Sequence, residues 1–152
     1  MKYEVINLDE QMVVGLSART KNSAPDMVTV IGSLWNHFYQ DGIYDSIHDK
    51  INNKGLGVYS DYESDANGEY DITVACAVSK SDKLPPNTVK KTIPAGKYAK
   101  FILQGNLHQI IAAFWQELWI MNLDRTYICD FEEYQEVSDV ENATIHVYIG
   151  IR

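Results

Sequence analysis

A chain of 152 residues, 45% hydrophobic and 22% charged, has the size and balance of one globular domain with its own core, which excludes intrinsic disorder. Thirteen Lys and Arg, scattered among 21 Asp and Glu, leave a formal charge of −8; this argues against a nucleic-acid partner and favours cations near the surface. The longest apolar run, 110–121, is broken by Gln116 and Glu117, and the N-terminus lacks a signal-peptide core, so no membrane span and a cytoplasmic location are expected.

Residues 4–20 read as extended chain with a turn at Leu8-Asp9-Glu10. Ser23-Ala24-Pro25-Asp26 then supplies a helix cap, an early proline and an acid. Met27, Val30, Ile31, Leu34 and Phe38 recur at three- and four-residue steps, the apolar face of a helix that Gly42 ends. Strands over about 56–63 and 70–78 follow, joined by a turn containing Asn67-Gly68, a strong hairpin signal. A polar linker, 79–87, carries Pro85-Pro86.

The plan then repeats. A strand over 97–103 follows Pro94-Ala95-Gly96, and Gly105-Asn106 caps a helix whose apolar positions are Leu107, Ile110, Ile111, Phe114, Leu118 and Met121. Strands over about 127–136 and 143–151 are joined through Ser138-Asp139-Val140-Glu141-Asn142. Ser60-Asp61-Tyr62-Glu63 lines up with Cys129-Asp130-Phe131-Glu132, and Ile72-Thr73-Val74 with Ile145-His146-Val147. The expected fold is one α+β domain over 1–152, built from duplicated β-α-β-β halves at about 1–80 and 88–152. Their pseudo-twofold would give a curved antiparallel sheet with two long helices packed on it, and a cleft along the seam.

No glycine-rich phosphate loop, nucleophile elbow or paired-histidine metal spacing occurs, and His37, His48, His108 and His146 are far apart in sequence, so neither a metal nor a cofactor is expected. Cys76 and Cys129 fall in predicted strands and read as reduced core residues. The ten tyrosines and three tryptophans admit two readings: packing between sheet and helices, or an aromatic-walled pocket for an organic cation. Strand alternation puts Ile128, Asp130, Glu132 and Tyr134 on one face. Glu132 is then either a solvent-facing strand residue or a buried carboxylate, protonated or awaiting a positive partner.

Ile93-Pro94-Ala95-Gly96-Lys97-Tyr98-Ala99, Gly105, Phe114-Trp115-Gln116-Glu117-Leu118-Trp119 and Asp130-Phe131-Glu132-Glu133-Tyr134 resemble the second half of GyrI-like effector-binding domains. Gly15-Leu16-Ser17-Ala18-Arg19, Gly57-Val58-Tyr59-Ser60-Asp61 and Gly68-Glu69-Tyr70-Asp71 fit the first half. The resemblance covers essentially the whole chain, and implies a stand-alone module without the DNA-binding region of multidrug-sensing and AraC-type activators. It implies a pocket for small, aromatic or lipophilic cations, with Glu132 as counter-charge and Tyr148, Tyr59, Trp115 and Tyr98 as ligand-binding residues. Tyr148, however, alternates out of phase with Ile145, Val147 and Ile149. A homodimer, a protein partner such as a topoisomerase, and a hydrolase using Glu132 as general base are the alternatives that the resemblance leaves open.

Overall fold

The computed structural model describes residues 1–135 and 139–152. Eight strands form one antiparallel sheet: β1 (Glu4–Leu8), β2 (Gln11–Lys21), β3 (Gly55–Ser60), β4 (Glu69–Val78), β5 (Val89–Ile93), β6 (Gly96–Gly105), β7 (Arg125–Tyr134) and β8 (Ala143–Ile151). Two 14-residue helices, α1 (Met27–Gln40) and α3 (Leu107–Ile120), are the long ones; α2 (Ile43–Ser46) is a single turn. The α+β class and curved antiparallel sheet expected from the sequence are therefore present. Among the described residues no helix is long and apolar enough to cross a membrane.

The strand order β1-β6-β8-β7-β3-β4-β2-β5 reads the same from both ends once the halves are exchanged. Tyr59 of β3 pairs with Ile72 of β4, as Tyr134 of β7 pairs with Ile145 of β8. Gly57 pairs with Val74, and Glu132 with Val147, in the same relation. Gly57 and Glu132 also pair with each other where β3 meets β7, so the pseudo-twofold runs through that pair. Leading strands are exchanged between the halves: β1 lies along β6, and β5 along β2.

These registers correct one expected equivalence. Ile72-Thr73-Val74 does correspond to Ile145-His146-Val147, but Asp61-Tyr62-Glu63 lies beyond the end of β3, whereas Asp130-Phe131-Glu132 lies inside β7. The expected strand over 56–63 stops at Ser60, where Asp61 turns the chain with φ +52°. The edge strand β5 lies where the sequence offered no helix or hairpin signal. Its short Val-Lys-Lys-Thr-Ile run carries the lysines typical of a protected sheet edge. The expected strand end at Glu136, and Ser138 of the connection, lie outside the described residues.

The two faces of the sheet pack differently. On one, α1 covers β2 and β4 through Phe38, Val14, Val74 and Cys76, while α3 covers β6 and β8 through Phe114, Leu118, Phe101 and Val147. On the other, Val58, Phe131, Tyr98 and Tyr148 form a cluster that Ile93 of β5 and Ile6 and Leu8 of β1 join from opposite edges. Contact between edge strands and central strands requires the sheet to curl over this helix-free face. Cys76 and Cys129 are free and buried, one in each layer, and burial pushes the Cys76 thiol up to about 11. Both are core residues, as the sequence indicates.

Candidate ligand-binding site

Because each helix covers its own half, the central strands β3 and β7 are left open between α1 and α3, and a cavity of about 1010 Å³ occupies the gap. That is the upper end of the size range for drug-sized ligands, about 300–1,000 Å³. Its walls are Met27, Ile31, Trp35 and Tyr39 from α1 and Leu107, Ile111, Trp115 and Trp119 from α3. The floor is Gly55, Tyr59, Glu132 and Tyr134, with Tyr62, Tyr70 and Arg125 toward one end.

Glu132 is 2% exposed, which selects the buried alternative of the two the sequence allowed. Its carboxylate accepts three hydrogen bonds, all from neutral groups. Oε1 takes the Tyr134 hydroxyl at 2.8 Å; Oε2 takes the Tyr59 hydroxyl at 2.9 Å and the Trp115 indole N–H at 2.7 Å. Burial raises the Glu132 pKa above the ordinary carboxylate value, and the three donors oppose that rise without cancelling it. Burial first, and then the neighbouring Glu132 charge, holds the Tyr59 and Tyr134 phenols well above 10, so both stay protonated donors.

The second buried carboxylate on this face is handled differently. Asp130, fully buried, meets the Arg125 guanidinium at 2.8 Å and accepts the Gly150 N–H at 2.9 Å and the Tyr62 hydroxyl. Arg125 reaches Asp130 because the β7–β8 register shifts between these residues, with Tyr127 in the left-handed region at φ +55°. The same irregularity breaks the expected alternation. Asp130 and Glu132 share a buried face, in line with the expected alternation, but Ile128 turns outward and is 61% exposed. The contrast between the carboxylates is the chemical content of the site: Asp130 has an internal cation, whereas Glu132 has three neutral donors and, among the described residues, no ion-pair partner.

Of the five residues that sequence singled out, Glu132, Tyr59 and Trp115 meet in this cavity, with Tyr59 and Trp115 both hydrogen-bonded to Glu132. Tyr98 and Tyr148 do not. Tyr148 pairs with Phe131, one residue out of phase with Glu132, and so projects to the helix-free face, where its ring stacks on Phe131 at 4.5 Å. Tyr98 is buried in the same cluster and donates to the Pro94 carbonyl at 2.7 Å. The out-of-phase alternation of Tyr148 had signalled this placement.

Sequence reasoning missed Trp35, Tyr134 and two glycines. A Cβ on Gly57 would lie 2.9 Å from Glu132 Oε1, and one on Gly55 would lie 2.5 Å from the Tyr39 hydroxyl and 3.0 Å from Trp35. The bare backbone of β3 is what lets the carboxylate and the α1 aromatics occupy the floor. Matching the two helices position for position would have found Trp35, which holds the place in α1 that Trp115 holds in α3.

The family model of integron-associated effector-binding proteins, Cass2, matches residues 4–151. The Bacillus subtilis (strain 168) protein YobU, which carries a provisional name as a transcriptional regulator, is 29% identical over 97% of this chain and 96% of its own. An integron cassette protein from the mobile metagenome of Vibrio cholerae has a similar structure, with TM-score 0.78 and 28% identity over 99% of this chain and 95% of its own. SAV2435, solved bound to tetraphenylphosphonium, has the same fold, with TM-score 0.80 and 18% identity over 100% of this chain and 94% of its own.

Proposed function

This chain belongs to the Cass2 family of integron-associated effector-binding proteins, and from that premise we propose that its cavity binds lipophilic aromatic cations with Glu132 as counter-charge. The carrying observation is a buried carboxylate that faces an aromatic cavity with only neutral donors around it. A carboxylate offers about four lone-pair directions, and three are engaged. A cation entering the cavity gains both the unneutralised charge and the ring faces of Trp35, Trp115, Tyr59 and Tyr134. The tetraphenylphosphonium held by SAV2435, a lipophilic cation on the same fold, supports this ligand class.

A cationic triarylmethane dye and its neutral leuco form, the hydride adduct that keeps the same three aryl groups, test the reading. The dye is expected to bind at about micromolar strength, roughly −8 kcal/mol, and the leuco form at least about tenfold more weakly. Equal affinities would overturn the assignment of Glu132. No observation favours the hydrolytic alternative, in which the dye's place would be taken by a consumed substrate.

Two substitutions localise the site. Gly57→Ala pushes a methyl group against Glu132 Oε1 and is expected to weaken the dye by about 1–2 kcal/mol, roughly tenfold. Unchanged affinity in a calorimetric titration would mean that the carboxylate does not need that gap. Tyr148→Phe, on the opposite face, is expected to leave dye affinity within about twofold, because no ligand in this cavity can touch it. A tenfold loss would move ligand contacts to the helix-free face.

A further inference from the structure

The cavity is nearly symmetric, and its charge sits on the symmetry axis. Gly57 and Glu132 pair across β3 and β7, and each has the same strand partner in its own half, Val74 or Val147. Around that axis the aromatic residues fall into matched sets. Tyr59 packs on Trp115 with ring centroids 5.0 Å apart; its counterpart Tyr134 packs on Trp35 at 4.9 Å. Each of these tyrosines donates to a different oxygen of the same carboxylate. Beyond them, Ile31 of α1 and Ile111 of α3 occupy the same position in helices of equal length, and both line the cavity.

From this arrangement we infer that the site selects cations whose charge lies between two apolar arms, one arm for each wall, over cations that carry charge at one end. The inference rests on the cation reading above and narrows its ligand class. A centrally charged molecule can set its positive atom over Glu132 and extend an arm toward Trp35 and Ile31 and the other toward Trp115 and Ile111. A terminally charged molecule of equal size that places its charge over Glu132 sends its whole apolar length to one side. It leaves the other wall uncovered, and apolar contact area scales with what is covered.

Two isomeric quaternary ammonium ions separate the cases. One is a dimethylammonium with two phenylpropyl arms; the other is a trimethylammonium with a single biphenylpentyl chain. They share formula and charge and differ in where the charge sits. Competition against the bound dye is expected to show the two-armed ion about tenfold tighter. Ile31→Ala and Ile111→Ala, which leave the three hydrogen-bond donors to Glu132 in place, should weaken the two-armed ion by similar factors. For the single-chain ion one of the two should matter and the other should not. If both ions bind, both depend on Glu132, and the single-chain ion is equal or tighter, the central-charge inference falls while the cation reading stands. Failure of both ions to bind, or binding insensitive to Glu132→Gln, removes the cation reading and this inference with it.

Discussion

Replacing Glu132 by Gln is expected to weaken a lipophilic cation by about 30- to 150-fold, the equivalent of roughly 2–3 kcal/mol for a charge-assisted contact in a desolvated site. The neutral leuco dye should change little. Gln preserves shape and most hydrogen bonds. Its carbonyl can accept from Tyr59 and Trp115 as Oε2 does, and its amide can donate to Tyr134, whose hydroxyl hydrogen rotates away. The affinity change therefore reads charge rather than packing.

The unliganded variant should also melt higher at neutral pH. Glu132 has a pKa raised by burial, so its contribution to stability is fully present below the unfolded carboxylate value and is lost as pH rises through the higher folded value. The Gln variant lacks that titration. The difference in melting temperature, variant minus parent, should then grow with pH across this window and level off above it. Cation binding should run the opposite way, strengthening as the carboxylate ionises. A variant that loses affinity for charged and neutral dyes alike would show Glu132 to be structural. A melting difference independent of pH would show that it is already neutralised within the protein.

Arg125→Met is expected to cost about 3–5 kcal/mol of stability, because it leaves the Asp130 carboxylate buried without its cation. At this chain length that corresponds to a fall in melting temperature on the order of 10 °C. Adding Asp130→Asn should recover most of the loss: the amide oxygen still accepts the Gly150 N–H, and the unpaired charge is gone. A single variant as stable as the parent would mean that water reaches Asp130. A double variant no better than the single would place the cost in Arg125 packing, including its stacking over Tyr127 at 4.4 Å. These two predictions separate the carboxylates: removing charge from Glu132 stabilises the empty protein, whereas removing the charge opposite Asp130 destabilises it.

The helices, the Asn67-Gly68 hairpin and the duplicated plan were legible because each rests on local periodicity or turn chemistry. The Asn106 cap is an instance: its side chain accepts the Gln109 N–H, as the sequence signal requires. Glu132 was legible through resemblance, and its burial was not, because burial depends on which strands meet. Trp35 sits 97 residues from Glu132 in the chain, and only the β3–β7 register brings them together across Gly57. The correspondence of Asp61-Tyr62-Glu63 with Asp130-Phe131-Glu132 misled because three similar letters outweighed register, which local sequence does not encode. Alternation was the better guide for Tyr148, where it contradicted the family-derived role.

The axis through Gly57 and Glu132 bears on how such a site could arise at all. A homodimer of one half-length chain would put the same residue on both sides of its twofold. Two glycines would leave a neutral floor. Two glutamates would face each other in a buried site, where like charges force one to hold a proton, so the pair would carry a single negative charge and crowd the gap the ligand needs. One ionised carboxylate beside an empty space cannot be produced by identical subunits. It requires two copies that differ at the axial position, and placing both in one polypeptide supplies this: the gain from fusion is the licence to be asymmetric at one residue while the walls around it remain alike.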